Sequence, residues 1–158
     1  MKSTFNYKTI IGEVFIVEEN NFITELKFNK EKIKTNAIEK ETPLIKETYE
    51  QLLKYFNGEI KEFSIPVKLE GTDFQKKVWA ALQEIPYGKT CTYKQIAQNI
   101  SRPKACRAVG LANNKNPVSI IVPCHRVIGS NGKLVGYGGG LDVKKTLLQL
   151  EGVAINNE

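Results

Sequence analysis

The start of the chain shows the period-2 pattern of half-buried strands. Gly12–Val17 is rich in β-branched and aromatic residues, and Phe22, Thr24, Leu26 and Phe28 recur with period 2 in the next run. Glu19–Asn21 lies between these runs and has the composition of a turn, so the pattern predicts a β-hairpin. Residues 29–42 are charged and show no periodicity, which predicts a loop.

Helical spacing replaces this pattern from Pro43 onwards. Pro43 suits the first position of a helix, apolar residues recur on one face as far as Phe56, and Asn57-Gly58 is typical of a helix end. Residues 63–67 are again strand-like and favour a return to the sheet. Because this half contains no cluster of catalytic residue types, we interpret it as a small αβ scaffold.

The character of the sequence changes near residue 70, where we place a domain boundary. This interpretation gives an N-terminal αβ domain over residues 1–70 and a C-terminal domain over residues 71–158. Thr72 is a good N-cap for a helix over residues 73–84, and the spacing of apolar residues predicts a final helix over residues 142–150.

Two short helices separated by a break suggest a helix-turn-helix. The first covers about residues 93–99, and the second begins at Pro103 and continues to about Ala112. Alanines make the second helix thin on one side, while Lys104 and Arg107 are spaced to share a face. Such a helix can approach a nucleic-acid groove closely. Pairs of short helices are common, however, and a solvated surface role for Arg107 stays open.

An apolar run that is interrupted by Pro-Cys-His-Arg contains the candidate chemistry. The strand-like residues 118–122 lead into it, and it places His125, the only histidine of the chain, beside Cys124, one of three cysteines. A cysteine nucleophile needs a base, and imidazole titrates near neutral pH. Neighbours in a strand point to opposite faces, so a buried cysteine beside a structural histidine is the alternative.

A glycine-rich loop over residues 129–140 follows this run and includes Tyr137. Glycine permits the close approach of a ligand to the backbone, but it equally suits a plain flexible loop. The spacing of these glycines does not match a phosphate-binding fingerprint.

Composition narrows the class of protein. A hydrophobic content of 41% is typical of a folded globular chain, and the longest apolar runs fall far short of the roughly 20 residues that cross a bilayer. No signal peptide is visible, and an odd number of cysteines suits a reducing cytoplasm. A single histidine without a Cys-x-x-Cys motif predicts no metal site.

The net charge of +6 is distributed unevenly. Residues 1–71 hold 11 lysines and 12 acidic residues, whereas residues 72–158 hold 12 basic and 5 acidic residues. A basic half suggests a polyanionic partner, most often nucleic acid. A basic surface that only aids solubility is the alternative.

Residues 72–152 resemble the methylated-DNA–protein-cysteine methyltransferases, the 6-O-alkylguanine repair proteins. The N-terminal half fits this family as architecture only. The resemblance implies an α+β fold, in which a small αβ domain precedes a mainly helical domain with a winged-helix-like helix-turn-helix. It is carried by Pro123–Ile128, Arg107–Gly110, Asn116-Pro117, Gly88–Thr90, Tyr93, Ala97, Gly136-Tyr137, Gly139–Leu141 and Lys144.

The resemblance implies a role for each residue of a reacting group. Cys124 corresponds to the acceptor, whose sulfur takes an alkyl group in one displacement. His125 corresponds to the base, which acts through a water, and Glu151 to the acid that orients the histidine. Asn116 corresponds to a hinge residue that connects the preceding turn to the acceptor segment.

Further positions correspond to substrate and DNA contacts. Gly138 stands where several relatives carry serine, and Asn113 replaces a more apolar residue, so the preferred alkyl group stays open. Arg107 matches a finger that takes the place of the extruded base, and Lys104 and Ala108 belong to the same DNA-binding segment. The positions that match the base pocket are Tyr93, Val127, Tyr137 and Gly138.

The implied function is direct-reversal DNA repair without a cofactor or a metal. A cytoplasmic monomer would bind double-stranded DNA through the minor groove and extrude 6-O-alkylguanine, with 4-O-methylthymine as a further lesion. Transfer to Cys124 would be irreversible, with one turnover. The alternatives are an alkyltransferase-like protein that binds lesions without repair, a helix-turn-helix regulator and a cysteine hydrolase.

Overall fold

An antiparallel meander at the N-terminus contains the predicted hairpin and one further strand. The computed structural model describes residues 1–29 and 36–155, and in it the meander consists of β1 (Lys2–Thr9), β2 (Gly12–Glu19) and β3 (Phe22–Lys27). Asn20 and Asn21 have φ angles of 52° and 66°, as tight hairpin turns between twisted strands require. The hairpin prediction is confirmed, whereas β1, with its many polar residues, was not predicted.

The loop predicted over residues 29–42 contains a short edge strand of this sheet. The short strand β4 (Ile38–Glu39) pairs in parallel with β1, which gives the strand order β3-β2-β1-β4. Two residues are too few to produce a periodic signal, so sequence reasoning could not detect β4. Residues 30–35 of the predicted loop lie outside the described part of the chain.

The first helix, α1 (Pro43–Phe56), has the bounds that the sequence predicts. It begins there because the Thr42 hydroxyl accepts a hydrogen bond from the Ile45 amide at 3.1 Å. The strand predicted at residues 63–67 is reduced to a single parallel bridge, in which Val67 pairs with Ile23.

The C-terminal half is mainly helical, and Trp79 connects its first helix to the DNA-binding helix candidate. The Trp79 indole is buried and donates a hydrogen bond to the Ala112 carbonyl at 2.9 Å. A small parallel pair of strands accompanies the helices. The elements are α2 (Asp73–Gln83), β5 (Cys91–Thr92), α3 (Tyr93–Asn99), α4 (Cys106–Asn114), β6 (Val127–Ile128) and α5 (Leu141–Leu150).

The helix-turn-helix outline is present, but its second helix begins three residues later than predicted. Ala105 occupies the N-cap position of α4 and offers no capping side chain, while Pro103 lies in the preceding turn. Lys104 therefore precedes the helix. The prediction that Lys104 shares a helix face with Arg107 is wrong, because only Arg107 lies on α4.

The predicted strand over residues 118–122 is instead a tight turn. Ile120 has a φ of 72°, an uncommon value for a β-branched residue, and the Val122 amide donates to the Val118 carbonyl at 3.0 Å. Val118 touches the N-terminal sheet through one parallel bridge to Leu26 of β3. Tertiary hydrogen bonds thus override the local strand propensity and attach this segment to the first sheet.

One hydrophobic core connects the two halves. Ile16 of the sheet, Leu52 of α1, Trp79 of α2 and Leu147 of α5 are all buried members of the same cluster. The predicted α+β arrangement, a sheet domain followed by a mainly helical part, is confirmed. Among the described residues, no helix has the length and apolar character that crossing a membrane requires.

Candidate active site

Cys124 begins a single 3-10 turn, Cys124–Arg126, and the backbone before it is fixed by Asn116. The buried Asn116 amide donates to the Val122 carbonyl at 2.8 Å and accepts from the Val118 amide at 3.1 Å. These two bonds close the turn over residues 118–122, so Asn116 occupies the bridging position that its candidate role requires.

His125 and Glu151 form a buried pair behind the cysteine. His125 Nε2 lies 2.8 Å from Glu151 Oε2, and both side chains are inaccessible to solvent. A ring nitrogen that faces a carboxylate carries the proton, so Nδ1 of the neutral ring is left as an acceptor. Nδ1 is buried and has no hydrogen-bond partner among the described residues. Burial lowers the pKa of His125, although the Glu151 carboxylate opposes this effect.

Glu151 accepts hydrogen bonds from several parts of the chain. Arg126 donates through Nε to Oε1 at 2.8 Å and through a terminal nitrogen to Oε2 at 2.9 Å, while the Gly88 amide reaches Oε1 at 3.3 Å. The Tyr55 hydroxyl also donates to Oε2. Burial raises the pKa of Glu151, but the bonds from His125 and Arg126 outweigh it and hold the pKa at about 2. The carboxylate is therefore ionised at neutral pH.

Two members of this network were not recognised as site residues in the sequence. Tyr55 lies on α1, where its position in the apolar stripe indicates only core packing. Arg126 was expected to connect the acceptor segment to its surroundings, and it does so through Glu151 and through a 2.7 Å bond to the Ile85 carbonyl. Only the tertiary fold brings Tyr55 and Glu151, 96 positions apart, into contact.

The Cys124 thiol is buried beside two ammonium groups. Burial raises its pKa, whereas the Asn116 side chain and the charges of Lys144 and Lys27 lower it. Lys144 is itself buried, and its ammonium donates to the Val135 carbonyl at 2.9 Å. Desolvation lowers the pKa of Lys144 to about 8. The thiol thus lies in an electropositive environment that excludes solvent. Because burial disfavours the thiolate, a nearby base is needed to remove the thiol proton.

A cavity of about 40 Å³ adjoins the thiol. Tyr137 and Gly138, two of the predicted pocket residues, line it together with Cys124 and Asn113. The Tyr137 hydroxyl is buried and has no hydrogen-bond partner among the described residues. Hydroxyls of this kind are costly to bury, so it is available to a polar group that enters the cavity.

The other two predicted pocket residues do not line this cavity. Tyr93 donates its hydroxyl hydrogen to the Val135 carbonyl at 3.2 Å, and its ring lies against Gly110 of α4. Val127 is fully buried in β6. Tyr93 therefore lies between the DNA-binding helix candidate and the glycine loop, whereas Val127 belongs to the core beneath the acceptor.

The exposed face of α4 presents the predicted DNA contacts. Arg107 and Ala108 are both exposed there, and Lys104 is exposed in the preceding turn. Leu111 is 63% exposed on the same helix, the largest apolar side chain that this face presents. Within the described residues, no group of three or more ligand side chains is placed to hold a metal ion.

The structure combines a helix-turn-helix with a buried cysteine, histidine and glutamate. This combination indicates a DNA-binding protein with a candidate nucleophilic cysteine. Two family models match the chain: the ribonuclease-like domain of 6-O-methylguanine DNA methyltransferase over residues 4–69, and the DNA binding domain of the same protein over residues 73–153. The chain belongs to the 6-O-methylguanine DNA methyltransferase family.

Relatives and solved structures agree with this family. A methylated-DNA–protein-cysteine methyltransferase of Methanosarcina acetivorans is 51% identical over 150 residues, which cover 92% of this chain and 96% of the relative. The structure of Mycobacterium tuberculosis OGT in complex with DNA superimposes with a TM-score of 0.89 at 44% identity, covering 94% and 92% of the two chains. An O6-methylguanine DNA methyltransferase from Methanococcus jannaschii gives a TM-score of 0.70 at 29% identity, covering 97% and 96%.

Proposed function

We propose that Cys124 is the residue that accepts the alkyl group, with His125 as its base and Glu151 as the group that orients the histidine. The chain is a DNA repair protein that transfers an alkyl group from methylated DNA to its own cysteine, as its family and relatives indicate. The observation that carries the assignment is that Cys124 lines a cavity while the next residue, His125, is paired with the buried Glu151.

The proposed reaction is a single displacement at carbon. The thiol proton passes through a water to Nδ1 of His125, which is free of protein partners among the described residues. The thiolate then attacks the alkyl carbon, the new S–C bond forms, and the C–O6 bond breaks with its electron pair going to the base. Proton uptake by the guanine completes the balance. No redox step or cofactor is required.

Glu151 stabilises the imidazolium that forms in this step. Its ionised carboxylate holds the proton of Nε2 and thereby fixes the tautomer in which Nδ1 is the acceptor. Asn116 fixes the backbone on both sides of the turn before Cys124. Because a thioether is a poor leaving group, the alkylated Cys124 is not regenerated, and one molecule repairs one lesion.

The proposed substrate is a base that has been extruded from double-stranded DNA. An alkylated O6 lies inside the duplex, so the nucleotide must leave the stack to reach Cys124. The small Ala108 allows α4 to enter the minor groove, which is only about 6 Å wide. Arg107 would occupy the space that the base vacates, and Lys104 would contact a phosphate.

Four residues are proposed to receive the extruded base. Tyr137 and Gly138 line the cavity at the thiol, and the buried Tyr137 hydroxyl offers a hydrogen bond. Tyr93 assists rotation of the nucleotide from its position between α4 and the glycine loop. Val127 is buried in the strand that follows the acceptor and is proposed to support the pocket from beneath. Guanine alkylated at O6 is the proposed lesion, with 4-O-methylthymine as a further one.

We also infer that the two halves of the chain have different roles. Residues 1–70 act as the scaffold, and residues 71–158 carry the DNA-binding surface and the alkyl acceptor. One molecule contains every residue of the proposed reaction, so we propose a monomer. Because its substrate is DNA, we propose that it acts in the cytoplasm with access to DNA.

Mass spectrometry after mixing with a duplex that contains 6-O-methylguanine tests the assignment. The intact protein is expected to gain the mass of one CH₂ group, and the peptide that contains Cys124 is expected to carry it. Cys106→Ala should retain this gain and Cys124→Ala should lose it. A mass gain on another residue, or lesion binding without any gain, would contradict the proposal.

A further inference from the structure

The end of β3 forms one side of the cavity at Cys124. Lys27, Phe28 and Asn29 line this cavity opposite the residues of the C-terminal half. The scaffold half of the chain thus contributes directly to the space beside the thiol. Neither the periodicity of β3 nor the family resemblance of residues 72–152 assigns these side chains to the site.

Hydrogen bonds fix the end of β3 to the segment that carries the acceptor. The Leu26 amide donates to the Pro117 carbonyl at 2.8 Å, and the Ser119 amide donates to the Leu26 carbonyl at 3.1 Å. The Lys27 ammonium donates to the Asn116 carbonyl at 3.0 Å. These bonds join the two sides of the cavity. The fold therefore fixes the position of Phe28 relative to Cys124.

Phe28 also packs against the glycine loop. Its ring centroid is 5.7 Å from that of Tyr137, and the two rings are tilted by 51°. A Cβ atom at Gly139 would come within 2.8 Å of the Phe28 ring, a distance that side-chain carbons do not tolerate. Gly139 therefore packs directly on the ring, which supports the segment that contains Tyr137 and Gly138.

We propose that Phe28 is a specificity-determining residue, whose ring closes one side of the pocket and limits the size of the alkyl group that Cys124 accepts. This inference rests on the proposed function of Cys124 as the acceptor. Phe28 lines the cavity together with Cys124, so its ring takes up space next to the sulfur that receives the alkyl group. A bulkier group must displace either the ring or the glycine loop that packs on it.

The test compares two lesions in one duplex sequence, with 6-O-methylguanine in the first and 6-O-benzylguanine in the second. The measured quantity is the ratio of the rate constants for benzyl and methyl transfer to Cys124. Phe28→Ala is expected to raise this ratio about tenfold, the lower end of what altered pocket volume achieves. The ratio does not depend on the fraction of active protein, so partial misfolding of the variant does not mimic the effect.

Phe22→Ala is the matched control, because Phe22 begins the strand that ends just before Phe28, is 41% exposed and does not line the cavity. Its ratio should equal that of the unmodified protein. Phe28→Trp should lower the ratio, since a larger side chain leaves less room. An unchanged ratio in both Phe28 variants would refute this inference. If the unmodified protein transfers neither group to Cys124, the proposed function itself is wrong.

Discussion

At the scale of single residues, Glu151 connects several members of the proposed reacting group. Its two oxygens accept from His125, Arg126, Tyr55 and the Gly88 amide, so one carboxylate holds the base and the acceptor turn at once. Removing its charge would release the proton on Nε2 that defines the acceptor tautomer of His125. The turn over residues 118–122 would change much less, because Asn116 closes it independently of Glu151.

Glu151→Gln is expected to slow alkyl transfer about 100-fold or more, the range that a general base contributes. Single-turnover rates should be measured per folded molecule, since breaking a buried charge pair costs about 3–5 kcal/mol of unfolding free energy. Tyr55→Phe is the control, because it removes one donor and leaves the carboxylate in place. A rate within threefold of the unmodified protein, on the order of 0.7 kcal/mol, would contradict the orienting role.

Sequence reasoning located the reacting residues only in part. Adjacency of Cys124 and His125 left a structural histidine open, and the family resemblance supplied Glu151. Tyr55, Lys27 and Phe28 were missed because each has an ordinary local environment, in a helix stripe or at the end of a strand. Their place at the site follows from long-range packing, which no spacing within the sequence encodes.

At the scale of elements, the helices were more predictable than the segments between them. Capping residues mark the starts of α1, α2 and α3, at Thr42, Thr72 and Thr92. The start of α4 carries no such signal and was misplaced. The turn at Ile120 was read as a strand because its residues are β-branched, and only its bonds to Asn116 and β3 produce the observed backbone.

The later start of α4 separates the expected effects of its two basic neighbours. Arg107→Ala should slow transfer from duplex DNA more than transfer from free 6-O-benzylguanine, because only the duplex requires extrusion. Lys104→Ala should weaken binding to all duplexes and reduce the slope of log affinity against log salt by about one. Equal losses on duplex and free base in Arg107→Ala would contradict the finger role.

At the scale of the whole molecule, the two halves share one core and one buried charge network. The fold class could be predicted from the family resemblance, but the sharing of one core and one charge network between the two halves could not. The network contains Tyr55 from the first half and Glu151 from the second. Stability and reactivity should therefore depend on the same ionisation states.

Acid should destabilise the fold through this network. The folded-state pKa of Glu151 is about 2, below its ordinary 4.5, so its contribution is complete above about pH 5 and is lost as the pH falls towards 2. This loss is on the order of 3 kcal/mol. The lowered pKa of His125 acts in the same direction, because a buried neutral ring resists protonation below about pH 6.5.

Urea unfolding between pH 7 and pH 3 measures this effect. The difference in unfolding free energy between the unmodified protein and Glu151→Gln should shrink as the pH falls below about 5. Glu62→Gln, which alters an exposed carboxylate, should show a constant difference. A constant difference for Glu151→Gln as well would show that its carboxylate does not titrate with unfolding.

The position of Glu151 after Cys124 in the sequence also has a consequence for biosynthesis. Chains emerge from the ribosome N-terminal end first, at about 5–20 residues per second. Cys124 is therefore made before Glu151, and for that interval the thiol has neither an oriented base nor a closed network. Under the proposed mechanism, a chain that terminates between these two positions lacks the carboxylate that orients His125. The proposed acceptor therefore gains its complete hydrogen-bond network only after synthesis has passed Glu151.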